Sequence, residues 1–318
     1  MNKREQYVAT FLNLKKKMKW RPMNKRSLML IAATYVIQNK PFDWNRFRML
    51  SDYIKYAASV FSPLKSNHRY VLAAKIDTGY DHPEKAFSSM LEAFEALDRA
   101  GFWRNEFSYI AATVLLDEGD NNFLAERARH IYDAMRKEHS FITSNSDYPL
   151  AALLAKEEGS VRELIETMEY FYSELNKRGF KKGDALQFLS HILSLDNGIN
   201  RSILIQRCAT ILHALEDFGI KRKRMYYPVI GLLAFVNNGE SLLPIIQSTW
   251  NELNEVEAFI WNEDLNLLMA VNIIVSDQFE QNEIMLTGLT TTIESIVQAQ
   301  EAASTAAWIG AMGGISSN

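Results

Sequence analysis

One cysteine, Cys208, stands in 318 residues, so no internal disulfide can staple this chain. Ile205, Cys208 and Ile211 recur at helical spacing, which marks a buried structural thiol; a reactive one needs exposed, electropositive surroundings. A lone cysteine also fits a reducing cytoplasm, the expected location. Proline and glycine are scarce, at 7 and 14, and leave room for long helices. Long apolar runs are missing as well. The strongest, residues 28–37, is about half the roughly 20 residues of a membrane span, and the basic stretch before it is too long for a signal peptide. Neither sign of charge dominates: the net charge is −3, so no global field draws the chain to nucleic acid or membrane.

Chemical signatures are equally sparse. No two of His68, His82, His130, His139, His191 and His213 sit four residues apart, and no paired-cysteine or calcium-loop pattern occurs, so no metal site is expected. The glycines form no phosphate cradle and no serine elbow, so neither a cofactor nor a catalytic residue is expected. The carboxylate pairs Asp117-Glu118 and Glu157-Glu158 lie beside glycines, where a solvated turn is the simpler reading.

What the sequence does have is a repeat. Short apolar segments end at Asn39, Gly79, Gly119, Gly159, Gly198 and Gly239, about 40 residues apart, each followed by a longer amphipathic segment. The segments pair as 27–38 with 43–60, 66–78 with 83–99, 108–116 with 123–137, 148–158 with 160–177, 185–195 with 200–218, 227–236 with 241–253, and 264–275 with 280–297. No period-two alternation appears, so no sheet is expected. The expected fold is an all-α solenoid of about seven two-helix repeats, HEAT-like, continuous over 1–298. Residues 1–22 form an N-terminal capping helix, for which a basic membrane-surface helix is the rival. Residues 299–318, rich in Ala and Gly, form a tail outside the core.

Charge separates between the two edges of such an array. Turns inside each repeat carry Asp77, Asp81, Glu84, Asp117, Glu118, Asp120, Glu157, Glu158, Asp196, Glu240, Asp277 and Glu280. Turns between repeats carry Arg99, Arg104, Arg136 and Lys137, then two clusters: Lys177, Arg178, Lys181 and Lys182, and Lys221, Arg222, Lys223 and Arg224. Helix electrostatics accounts for one or two cations near a C-terminus but not for four in succession. Those eight residues are the candidate partner-binding edge. The expected function is a non-enzymatic scaffold that binds a protein or peptide partner along its curved face; the alternative is nucleic-acid binding through the basic edge.

Leu28-Met29-Leu30-Ile31-Ala32 with Asn39-Lys40, then Leu50-Ser51-Asp52-Tyr53-Ile54-Lys55, then Phe61-Ser62-Pro63-Leu64-Lys65-Ser66, together with the Ala-rich tail, resemble a family of low-GC Gram-positive bacteria catalogued as domain of unknown function 4003. The resemblance implies a bacterial, cytoplasmic protein. It implies no activity and carries over no site residue.

Overall fold

The computed structural model describes residues 2–21, 23–59, 62–116, 119–195, 198–279 and 286–299. They form α1 (Lys3–Lys17), α2 (Lys25–Ile37), α3 (Trp44–Ala57), α4 (His68–Gly79), α5 (Pro83–Arg99), α6 (Glu106–Val114), α7 (Asn121–Glu138), α8 (Tyr148–Ala155), α9 (Val161–Lys177), α10 (Asp184–Leu193), α11 (Arg201–Asp217), α12 (Tyr227–Phe235), α13 (Leu243–Glu255), α14 (Glu263–Ser276) and α15 (286–299). No strand occurs among the described residues.

The even-numbered helices α2 to α14 make an inner layer and the odd-numbered α1 to α13 an outer one, as their burial shows. In α2 every residue from Ser27 to Ile37 is buried, whereas α9 buries Leu164, Thr167, Met168, Phe171 and Leu175 along a single stripe. That stripe follows the three- and four-residue spacing of one helix face, and each fully buried Leu, Met or Phe stabilises the fold by about 1.5–3 kcal/mol. Ser160 and Glu163 start α9 with a capping box, each satisfying a backbone N–H of the other. Gly179 ends it at φ +97, a conformation that costs a Cβ-bearing residue but not glycine.

The helices do not run out into an open solenoid. The inner helices pack in succession, α2 on α4 and α6 through α14 each on the next, with α4 tied to α6 by Lys75 and Thr113, and α14 packs on α2 and α1, so the two ends of the array meet. Lys3 pairs with Asp277 and donates to Ser276 Oγ at 3.0 Å, and Arg4 pairs with Glu252. Tyr7 stacks on Phe259 with ring centroids 5.4 Å apart, and Phe11 meets the same ring at 4.6 Å. α1 is therefore not an end cap: it fills the outer position between α13 and α3 and closes the ring.

The expected seventh outer helix, 280–297, is likewise relocated. α15 lies inside the ring, with Leu289, Ile293 and Val297 buried, and Thr290, Thr291, Thr292, Glu294, Ser295 and Gln298 buried with them. Helices packed about 10 Å apart in a ring of seven put opposite axes roughly 23 Å apart, which leaves a hole about 13 Å wide, the width of one helix with its side chains. α15 runs antiparallel to the inner helices. Thr287 and Thr290 lie by Gln38 and Gly79, at the ends of α2 and α4, while Glu294 and Gln298 lie by His68 and Glu106, at the starts of α4 and α6. Its polar side chains are met from the wall: Lys75 Nζ on α4 reaches Glu294 Oε2 at 3.1 Å and Thr113 Oγ1 on α6 at 2.7 Å. Residues 300–318, including Trp308 and nearly all of the expected tail, lie outside the described residues.

Because α15 fills the ring, Leu289→Ala should cost about 2–5 kcal/mol, the usual loss for a fully buried leucine in a packed core. Denaturant unfolding that gives a loss below about 0.5 kcal/mol would show that α15 is not packed there.

Candidate interaction face

In a closed ring of helical hairpins, all seven turns from an outer to an inner helix lie on one face, and the turns from inner to outer helices lie on the other. The second face is the one expected to be acidic. Asp77 does not belong to its surface: it is 1% exposed, accepts from Tyr35 Oη at 2.6 Å and pairs with Arg46. Asp120 caps α7 by accepting from Asn122 N at 3.0 Å and Phe123 N at 3.2 Å. Asp117, Glu118, Asp196 and Glu280 lie outside the described residues.

The first face is built by a recurrent stop. After α5, α9 and α11, Gly101, Gly179 and Gly219 take positive φ. The next residue, Phe102, Phe180 or Ile220, turns back into the core and donates its N–H to Leu97 O, Leu175 O or Leu215 O. Phe102 meets Tyr148 at 4.7 Å and Phe180 meets Tyr227 at 4.8 Å, ring to ring, so each anchor locks one hairpin to the next. With the anchor fixed inward, the residues after it point outward. Trp103 follows Phe102, Lys181 follows Phe180, and Lys221 follows Ile220.

All eight residues of the candidate edge are exposed, and their two clusters occupy neighbouring turns. Lys181 N donates to Tyr227 Oη at 3.0 Å, and Arg224 Nη1 comes within 3.5 Å of where a Cβ on Gly183 would sit. Three of the eight have acidic partners: Lys177 with Glu174 at 2.6 Å, Arg222 with Glu216 at 2.7 Å, and Lys223 with Asp264 at 2.5 Å. Arg178, Lys181, Lys182, Lys221 and Arg224 make no ion pair among the described residues.

Two features of this face lie outside the eight candidate residues; the first extends the basic side of the N-terminal helix into the turn that follows it. The α1–α2 turn carries Lys15, Lys16, Lys17, Lys19, Arg21, Lys25 and Arg26 with no acidic residue between them. Lys15, Lys19, Arg21 and Lys25 rim a cleft of about 390 Å³ whose apolar wall includes Met18 and Met23. Burial first, and then the charge of Lys15, pulls the Lys25 amine below its usual value. The second feature is aromatic. Six large apolar side chains are more than 70% exposed among the described residues: Trp20, Met49, Tyr56, Trp103, Phe141 and Trp261. All but Met49 sit at or beside an outer-to-inner turn. Only Trp103 directly follows a buried anchor, Phe102, so the sequence offers no common signal for the five.

These features define a closed two-layer helical ring with a charged and aromatic face. The chain belongs to the family described as "Protein of unknown function (DUF4003)", which residues 10–302 match. It is 33% identical over 312 residues to the uncharacterized protein YeaA of Bacillus subtilis, covering 96% of this chain and 94% of that one. No solved structure matches it. No single helix among the described residues is long and apolar enough to cross a membrane; α12 with α13, bent by 114°, qualifies only as a broken pair.

Perturbed titrating groups can mark chemistry, but here they are sealed in the packing. Burial pushes the Asp147 carboxyl up to about 7 and the His191 imidazole down to about 3. Their facing atoms are 3.7 Å apart, too far for a hydrogen bond. Cys208 is also fully buried, and burial raises its thiol. The unfolded chain releases the Asp147 proton near pH 4, while the native protein keeps it to about pH 7, so this group lowers stability as pH rises across that window. Asp147→Asn cannot ionise. Its melting temperature should gain on the parent between pH 5 and pH 8, and an advantage independent of pH would contradict the assignment.

Proposed function

We propose that this protein is a non-enzymatic binding module whose working surface is the face formed by the outer-to-inner turns. The interior that a curved scaffold would offer to a peptide is occupied by α15, which leaves the two faces and the rim for a partner. The observation that carries the reading is the junction of the clusters at 177–182 and 221–224. Five exposed cations without ion pairs among the described residues lie in neighbouring turns of a protein whose net charge is −3. Exposed charges in adjacent turns lie within about a Debye length at physiological salt and act as one field on an acidic partner. An anionic partner surface fits such a field. Nucleic acid is the second reading, since phosphates would meet the same cations with little sequence readout.

The test is retention on immobilised heparin, a generic polyanion. The variant K181E/K182E/K221E/R224E alters only side chains without ion pairs, so its melting temperature should stay close to the parent's. Its affinity should fall by at least about tenfold, with a shallower dependence on salt. Identical elution of parent and variant would show that the clusters are only solvated surface.

A further inference from the structure

We infer that the partner of this face is an anionic lipid bilayer, on which the ring lies flat with Trp20, Tyr56, Trp103, Phe141 and Trp261 set into the interface. The inference rests on the basic-face reading above and names its partner. Every one of the seven outer-to-inner turns offers an exposed aromatic or cationic side chain. Trp20 with its lysines, Tyr56, Trp103 and Phe141 come from the first four; Lys181 with Lys182, Lys221 with Arg224, and Trp261 come from the last three. Helices packed 8–10 Å apart in two concentric layers spread those turns over a disc roughly 40 Å across. A nucleic-acid strand or a peptide follows a track and can touch only some of them. A plane touches all.

The chemistry matches the two layers of a membrane surface. Trp and Tyr settle at the boundary between headgroups and acyl chains, where an apolar ring and a polar N–H or O–H are both satisfied. Lysine and arginine near an anionic surface each add attraction, and several together give stable binding where one does not. Folding does not require the aromatic side chains, because the buried anchors Phe102 and Phe259 do the packing while Trp103 and Trp261 face outward. Scattered exposed aromatics are ordinary on protein surfaces. Five gathered on one face, with the opposite face holding none as exposed among the described residues, are not scattered.

The Lys15–Lys25 cleft adds a local site. Lys15, Lys19, Arg21 and Lys25 converge on an apolar wall; Arg21 faces Asp52 at 3.8 Å, and Lys25 is pulled down by burial and by Lys15. A lipid phosphate seated there, with its chains against Met18 and Met23, would supply an opposing charge. Acidic residues also stand at this face: Glu138, Asp184, Glu216 and Asp217 are exposed at or beside other turns, and the α13–α14 turn carries Glu255, Glu257, Glu263 and Asp264 with no cation of its own. Lys223 pairs with Asp264 at 2.5 Å and Lys25 Nζ donates to Ile260 O at 3.1 Å, so cations from both neighbours reach into that turn, and Trp261 is 94% exposed at its tip.

The experiment is co-sedimentation of the full chain with vesicles of phosphatidylcholine and phosphatidylglycerol in equal parts, against pure phosphatidylcholine. Tryptophan fluorescence is followed with brominated acyl chains as quencher. The parent should bind the anionic vesicles, with a blue-shifted and quenched signal, and bind the neutral ones at least about tenfold more weakly. W20A/W103A/W261A should lose vesicle binding and quenching while keeping its melting temperature and its heparin retention. A parent retained on heparin but not sedimenting with anionic vesicles at low salt overturns the membrane assignment and leaves the basic face standing. Vesicle binding that persists unchanged in the triple variant also overturns it, as does a variant that instead loses affinity for single-stranded RNA.

Discussion

A ring of seven helix pairs leaves a central hole about as wide as one helix, and the rest of this architecture depends on how that hole is filled. Without α15, the inward sides of α2, α4 and α6 would face water, although most residues of α2 and α6 are of core type. With it, the inner helices are buried on all sides. The cost is polar: α15 brings Thr290, Thr291, Thr292, Glu294, Ser295 and Gln298 into the interior. Thr290 Oγ1 answers by donating to Leu286 O at 3.1 Å, one turn back on its own helix, and Lys75 crosses from α4 to Glu294. A buried pair of that kind adds little net stability, but losing one partner leaves the other charged and unsolvated, so it holds α15 in register.

Closure also decides where a partner can bind. An open array has a concave surface and two ends; a filled ring has neither. Two faces and a rim remain, and the faces differ because every hairpin runs the same way. The anchors Phe102, Phe180, Ile220 and Phe259 set the register on one face, so that the side chains just beyond them are directed outward. The other face spends much of its acid on structure: Asp77 holds Tyr35 and Arg46, and Asp120 caps α7. The two faces therefore differ in kind as well as in sign.

Much of this was legible in the sequence, and the failures have physical causes. The helices could be found because core positions recur at helical spacing and polar residues such as Asp43 and Ser160 stand at their starts. Closure could not, because contacts such as Lys3 with Asp277 join residues from opposite ends of the chain and leave no local periodicity. α1 has one apolar face whether it caps an array or closes a ring. α15 reads as an outer helix because Thr-Thr-Thr and Glu-Ser look solvated; only three-dimensional packing shows Thr290 bonded to backbone and Thr291 facing Lys75, while the buried hydroxyls of Thr292 and Ser295 find no partner among the described residues. The basic clusters were visible as charge, but their ion pairs with Glu216, Glu174 and Asp264 were not.

Ring closure is tested most directly by zero-length carbodiimide cross-linking of the monomer, followed by peptide mass spectrometry. The amine of Lys3 and the carboxylate of Asp277 are in direct contact, so an amide between them should join the first helix to the end of the fourteenth within one chain. Lys177 and Glu174, 2.6 Å apart on α9, provide the internal control. Recovery of both links at monomer mass is the predicted result. Recovery of the control link without any link between α1 and the α13–α14 region would mean that the helices form an open array.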